Sequence, residues 1–176
     1  VEESMSKVQS LGGSVLAGPI DVMDLGRLAI FQDPTGATFA VWQPGKHIGA
    51  RFVNEPRTLC WNELLTSDDG KAAEFYSSLF GWGKKTMDFG PGKYTVFQNG
   101  ERPAAGMMKI PPEWGKVPSH WLVYFAVEDC DKSVQKATDL GAGIISPPQD
   151  IPGTGRFAIL QDPQGGSFAV IKLQPM

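Results

Sequence analysis

One fifteen-residue stretch occurs twice, and that repeat limits what the chain can fold into. Arg27-Leu28-Ala29-Ile30-Phe31-Gln32-Asp33-Pro34-Thr35-Gly36-Ala37-Thr38-Phe39-Ala40-Val41 returns, 129 positions later and without a gap, as Arg156-Phe157-Ala158-Ile159-Leu160-Gln161-Asp162-Pro163-Gln164-Gly165-Gly166-Ser167-Phe168-Ala169-Val170. Each copy reads strand, turn, strand. Asp at i, Pro at i+1 and Gly at i+3 make a type I turn: Pro presets φ, and the Asp oxygen accepts nearby backbone N–H groups. The apolar flanks predict a hairpin buried on at least one face. Repetition at this scale means the fold is built from copies of one unit.

The same offset defines the rest of the unit. Met5, Val8 and Leu11 followed by Gly12-Gly13 predict a short amphipathic helix stopped by glycine, and Leu140-Gly141 repeats that stop. Residues 14–17 and 143–146 are expected strands, ending before Pro19 and Pro147-Pro148. In the second copy a strand, His120-Trp121-Leu122-Val123-Tyr124-Phe125-Ala126-Val127, precedes the helix, and Asp129 caps it. The equivalent strand of the first copy would lie before residue 1, so the first module is incomplete as given. Between the copies lies a divergent module. Its strand runs over 58–66 and Asp68 is its N-cap. Ala72, Phe75, Tyr76, Leu79 and Phe80 form an apolar helix stripe, with a stop at Gly81. Strands follow at 84–89, 93–98 and 104–110, with Asn99-Gly100 as a primed hairpin turn. A complete module is therefore βαβββ. The division expected is a partial module at 1–45, a linker at 46–57, and a domain at 58–176 holding modules 58–110 and 120–173.

Composition narrows the function classes. A net charge of −3 with no basic cluster argues against nucleic acid as the main partner. No apolar run approaches the roughly 20 residues of a membrane span and no signal peptide opens the chain, so a membrane partner is not expected. Two cysteines, Cys60 and Cys130, suit a reduced, cytoplasmic protein.

Tandem βαβββ modules ending in strand–DPxG–strand resemble the vicinal-oxygen-chelate superfamily of glyoxalase I, bleomycin-resistance proteins and extradiol dioxygenases. Trp61-x-Glu63-Leu64, Phe75-Tyr76 with Leu79-Phe80-Gly81-Trp82, and Gly26-Arg27 with Asp33-Pro34 and Trp42-Gln43 are similar to one branch of it. That branch is the actinobacterial two-domain glyoxalase-like proteins labelled hydroxylase or antigen. The resemblance implies an α+β fold in which paired modules form a curved mixed-sheet cup around a ligand or metal.

Metal enzymes of that superfamily place His, Gln or Glu ligands on the first and last strands of a module. Counted from the caps Asp68 and Asp129, those positions hold Trp61, Leu122 and Ala169 here, with Ala40 in the earlier copy. None can coordinate an ion, and such a site wants three or four N or O donors, so no metal and no other cofactor is expected. Glu63 shares a strand face with Trp61. It is either a general base or ligand grip, or a buried acid paired for structural reasons. The expected ligand-binding set is Trp61, Glu63, His120, Leu122, Tyr124 and Ala169, with Glu63 the catalytic candidate. His120 follows Pro118-Ser119 and also reads as a half-exposed strand start. Trp121 reads as core, Met107-Met108 as core or cup wall rather than a copper site, and Trp42 as cup or core. Cys60, without a nearby base, is no nucleophile. Arg27 and Arg156 are expected to pair with Asp21 and Asp150 or with Asp33 and Asp162.

Two functions follow from this reading. One is a metal-independent glyoxalase-like protein that binds a small planar organic molecule in an aromatic-lined cup. The other is a glyoxalase-like lyase or secondary-metabolism hydroxylase with Glu63 as base. Residues 1–42, with an unpaired sheet edge, are expected to self-associate or swap between protomers.

Overall fold

A computed structural model describes residues 1–90 and 92–174. The final positions of the expected 58–176 domain lie outside the described residues. Among those described, the chain forms three α-helices and eleven strands in the α+β order the repeat predicts. These are α1 (Glu2–Ser10), β1 (Ser14–Val22), β2 (Gly26–Gln32), β3 (Thr38–Pro44), β4 (Leu59–Thr66), α2 (Asp69–Phe80), β5 (Gly83–Phe89), β6 (Gly92–Asn99), β7 (Arg102–Lys109), β8 (His120–Ala126), α3 (Cys130–Asp139), β9 (Gly143–Ile151), β10 (Gly155–Gln161) and β11 (Ser167–Leu173). None of the helices is long and apolar enough to cross a membrane.

Two compact units emerge. The first joins Val1–Arg51 to Glu63–Trp121, and the second joins Phe52–Asn62 to the chain from Leu122 onward. In the first unit β1, β2 and β3 form an antiparallel sheet. Strands β5, β6 and β7 form an antiparallel meander, and β4 pairs parallel to β7 with Glu63 opposite Gly106. Val8 of α1, Phe31 of β2, Phe75, Tyr76 and Leu79 of α2, and Phe97 and Met107 of the meander share one core. Phe39 of β3 lies with its ring centroid 5.4 Å from Phe31 and from Tyr76, and 6.0 Å from Phe75. In the second unit the strand order is β8, β11, β10, β9, with α3 covering one face through Cys130 and Val134 on Ala158, Leu160 and Val170.

The two DPxG turns are built alike. Gly36 N donates to the Asp33 carbonyl at 3.0 Å and Gly165 N to the Asp162 carbonyl at 3.0 Å, the i+3 to i bond of the expected turn. Gln32 pairs with Thr38 and Gln161 with Ser167. Gly36 (φ 101°) and Gly165 (φ 95°) occupy positive φ that other residues resist. Asp68 and Asp129 accept from Lys71 N and Lys132 N, each at 3.0 Å, as N-caps should.

Local expectations need adjustment in two places. Strands β1 and β9 do not stop before their prolines but run through them, to Val22 and Ile151, with breaks in register. Each is the outermost strand of its sheet, where a missing N–H costs no ladder bond. The β6–β7 loop is Gly100-Glu101, one residue later than expected: Asn99 pairs with Arg102, and Gly100 (φ 62°) takes the positive-φ position of a II′ turn.

Candidate functional site

Alternation along β4 divides its side chains between two faces. Leu64 enters the helix-side core, while Glu63 and Leu65 point to the opposite face, where both are buried. The register extends this opposite face outward. Glu63 stands beside Gly106 of β7 and Leu65 beside Met108; Gly106 stands beside Val96 of β6 and Met108 beside Tyr94; Tyr94 stands beside Met87 of β5. The Tyr94 hydroxyl donates to Glu63 Oε2 at 2.8 Å. Tyr94 and Glu63 lie on strands either side of β7, Tyr94 at the level of Met108 and Glu63 at the level of Gly106. Glu63 is 8 % exposed. A carboxylate at that depth requires hydrogen-bond partners, since an unpaired one would carry a penalty of several kcal/mol. Farther out, Phe89 and Met87 are each 44 % exposed, and the Phe89 ring lies 5.8 Å from Tyr94. The face thus offers a buried acid, a phenol and an accessible apolar margin.

Other expected site residues fall into place separately. Half-buried His120 directs Nδ1 to the Pro118 carbonyl at 2.8 Å, a contact with its own strand entry. In the second unit Ala169 stands opposite Tyr124 on paired strands, and Leu122 lies two residues earlier on the same face. Leu122 and Ala169 are fully buried, and the Tyr124 ring packs 6.2 Å from Phe157. Trp61 is half-buried on β4, on the alternation of Glu63.

Several aromatic, thiol and basic side chains make local structural contacts. Trp121 packs on the core and its Nε1 donates to the Tyr76 hydroxyl at 2.9 Å. Trp42 Nε1 donates to the His47 carbonyl at 2.8 Å, and the indole leaves no room for a Cβ at Gly26. Cys60 Sγ donates to the Tyr124 carbonyl at 3.5 Å, and burial pushes its thiol pKa up, away from thiolate reactivity. Arg27 pairs with Asp21 and Glu2, each at 2.6 Å, and Arg156 with Asp131 at 2.7 Å and Asp150 at 3.2 Å. Asp21 and Asp150 are therefore the arginine partners. Asp33 and Asp162 serve their turns instead.

The sequence reading missed Tyr94. Its signal was the β6–β7 hairpin register, which brings Tyr94 to the level of Met108, on the face that Glu63 and Leu65 share.

A metal centre of the superfamily type needs several donors in one place. Among the described residues no group of three or more His, Cys, Asp and Glu side chains could hold an ion. Leu122 and Ala169 offer hydrocarbon, and Glu63 brings one carboxylate where three or four donors are wanted. Among the described residues, the side chains at these positions do not supply the donor set of such a centre.

Comparison with known proteins agrees with this architecture. Residues 58–170 match the glyoxalase family model, described as the Glyoxalase/Bleomycin resistance protein/Dioxygenase superfamily. The chain is 44% identical over 176 residues to "Putative glyoxylase CFP32" of Mycobacterium tuberculosis, covering 99% of this chain and 67% of that protein. It is 39% identical over 168 residues to the anthracycline biosynthesis protein DnrV of Streptomyces peucetius, covering 96% of this chain and 60% of that protein. Among solved structures, the Mn(II)-bound glyoxalase from Novosphingobium aromaticivorans superposes with a TM-score of 0.61 at 17% identity, over 98% of this chain and 58% of that one. That likeness is one of fold. With its modules, its turns and these relatives in agreement, the chain belongs to the glyoxalase/bleomycin resistance protein/dioxygenase superfamily.

Proposed function

We propose that the protein binds a small planar organic molecule without a metal, and that Glu63 grips a hydroxyl or amine of that ligand. The observation that carries this reading is the buried Glu63 carboxylate, bonded to the Tyr94 hydroxyl at 2.8 Å on a face shared with Leu65, Val96, Gly106 and Met108. A buried carboxylate is a strong acceptor for a ligand donor, and the surrounding apolar side chains favour a flat apolar body. Met87 and Phe89 supply accessible apolar surface beside Tyr94. An anthracycline is a flat, hydroxylated polycycle, so the similarity to DnrV supports this ligand class.

A second reading makes the protein an enzyme, with Glu63 taking a proton from the bound molecule. The Tyr94 hydrogen bond favours it, because fixing one carboxylate oxygen sets the direction of the other. Turnover that survives Glu63→Gln would remove this reading.

The test of binding is a fluorescence titration of chelator-treated protein with a panel of hydroxylated anthraquinones. The wild type should bind at least one, and Glu63→Gln should weaken that binding by ~10-fold or more, the value of one hydrogen bond to a charged group. Binding by no member of the panel, equal affinity in the variant, or binding only after manganese or zinc is added would each overturn the proposal.

A further inference from the structure

One row of residues crosses the Glu63 face from β4 to the outermost strand. Glu63 stands beside Gly106 of β7, Gly106 beside Val96 of β6, and Val96 beside Lys85 of β5. Lys84 fixes the side to which Lys85 turns. Its Nζ lies 3.8 Å from Glu74 of α2, so it belongs to the helix-covered face, and alternation sends Lys85 to the other. The remaining charges of these strands fall with Lys84: Asp88 opposite Lys93, Lys109 opposite Thr66, and Arg102 opposite Asn99. Among the described residues of β5, β6, β7 and the paired part of β4, the charges on the Glu63 face are therefore Glu63 and Lys85. They are opposite in sign and stand at the two ends of one row.

Exposure rises along that direction. Glu63 and Leu65 are buried, Tyr94 and Val96 are half-buried, and Lys85 and Met87 are exposed. A molecule that reaches Glu63 with one group therefore rests the remainder over β6 and β5, where the face is accessible. The Cα positions of Glu63 and Lys85 are three strand spacings apart, about 14 Å, and both side chains extend into that span, so a body of two or three fused rings fills it. Charge on an outermost strand also deters edge pairing, and Lys84 and Asp88 supply that from the helix side of β5. Lys85 instead borders the accessible apolar surface of Val96, Met87 and Phe89.

We propose that Lys85 is a second ligand-binding residue of this face and that the ligand is a flat aromatic anion. Its hydroxyl or amine lies at Glu63, its rings rest on Tyr94, Val96 and Met87, and its carboxylate meets the Lys85 ammonium. The inference rests on the placement of the ligand at Glu63 proposed above. The opposite charges at the two ends fix which way round the molecule binds, because the reversed pose sets carboxylate against carboxylate.

The probes are 6-hydroxyanthraquinone-2-carboxylate and the neutral compound with a methyl group in place of its carboxylate, each titrated by fluorescence into the intact chain in chelator at low salt. Lys85→Met keeps the aliphatic stem and removes the charge. It should weaken the carboxylate ~5-fold, the value of a partly exposed ion pair, and leave the methyl compound unchanged. Added salt should shrink the difference between wild type and variant. Lys84→Met, which alters net charge equally from the opposite face, should change neither affinity, and Glu63→Gln should weaken both probes alike. The inference is overturned, with the role of Glu63 left standing, if Lys85→Met leaves the carboxylate unaffected or weakens both probes equally. It is likewise overturned if Lys84→Met matches the effect of Lys85→Met, or if the methyl compound alone binds. Binding of neither probe to the wild type would overturn this inference and the binding reading together.

Discussion

The turns at Asp33 and Asp162 share sequence, register and hydrogen bonds, yet the molecule uses them differently. In both, Oδ1 accepts the backbone N–H groups two and four residues on: Thr35 and Ala37 at 2.7 and 3.0 Å, Gln164 and Gly166 at 2.9 and 2.8 Å. There the likeness stops. Asp33 is 4 % exposed and its Oδ2 accepts the Tyr76 hydroxyl of α2 at 2.9 Å; that hydroxyl accepts Trp121 Nε1 in turn. Thr35 adds bonds to Asp33 and to Thr66, where the second copy has Gln164. Among the described residues the Asp162 carboxylate bonds only within its own loop, to Gln164 N and Gly166 N. Local chemistry is sufficient to form the turn, and tertiary context has made one copy a buried joint between two modules.

This contrast can be broken by experiment. Asp33→Ala should cost ~3 kcal/mol, since it removes several bonds to a charged acceptor and leaves the Tyr76 hydroxyl buried without its carboxylate. Chemical denaturation measures it, and a cost equal to that of Asp162→Ala would refute the distinction. Tyr76→Phe should cost ~2 kcal/mol, through the acceptor and donor left behind at Asp33 and Trp121. Its pH dependence sharpens the case. Burial, then the Asp33 charge, holds the Tyr76 pKa far above the usual phenol value of about 10. The folded state therefore retains a proton that the unfolded state releases. The Tyr76 contribution is complete below about pH 10 and falls as pH rises beyond it. Tyr76→Phe should lose part of the wild type's alkaline destabilisation; identical alkaline profiles would contradict the buried pair. Asp162→Ala should cost ~1 kcal/mol, the loss of local turn bonds alone.

Much of the fold was legible because the repeat transfers information between copies. The helix after Asp129, its glycine stop and the following hairpin could be read once and applied twice. Proline misled at β1 and β9, where the sequence shows a strand breaker but not that the strand is outermost. The Asn99-Gly100 pair marked the hairpin, but a turn of one residue's difference depends on strand pairing that local propensity does not encode. At the site, alternation placed Glu63 correctly opposite to Leu64. Tyr94 was invisible because its partner lies 31 positions away, across strand pairings that local propensity does not encode. His120 and Trp42 each make a local contact that residue type alone does not reveal, His120 Nδ1 with the Pro118 carbonyl and Trp42 Nε1 with the His47 carbonyl.

The most direct test of the proposed function is a crystal structure of the protein grown in chelator with the tightest-binding hydroxylated aromatic of the panel. The account predicts a ligand hydroxyl or amine within about 3 Å of a Glu63 carboxylate oxygen, the distance of a charge-assisted hydrogen bond, with Tyr94 still on Oε2. A ligand bound away from Glu63, or held through an ion that protein side chains coordinate, would contradict it.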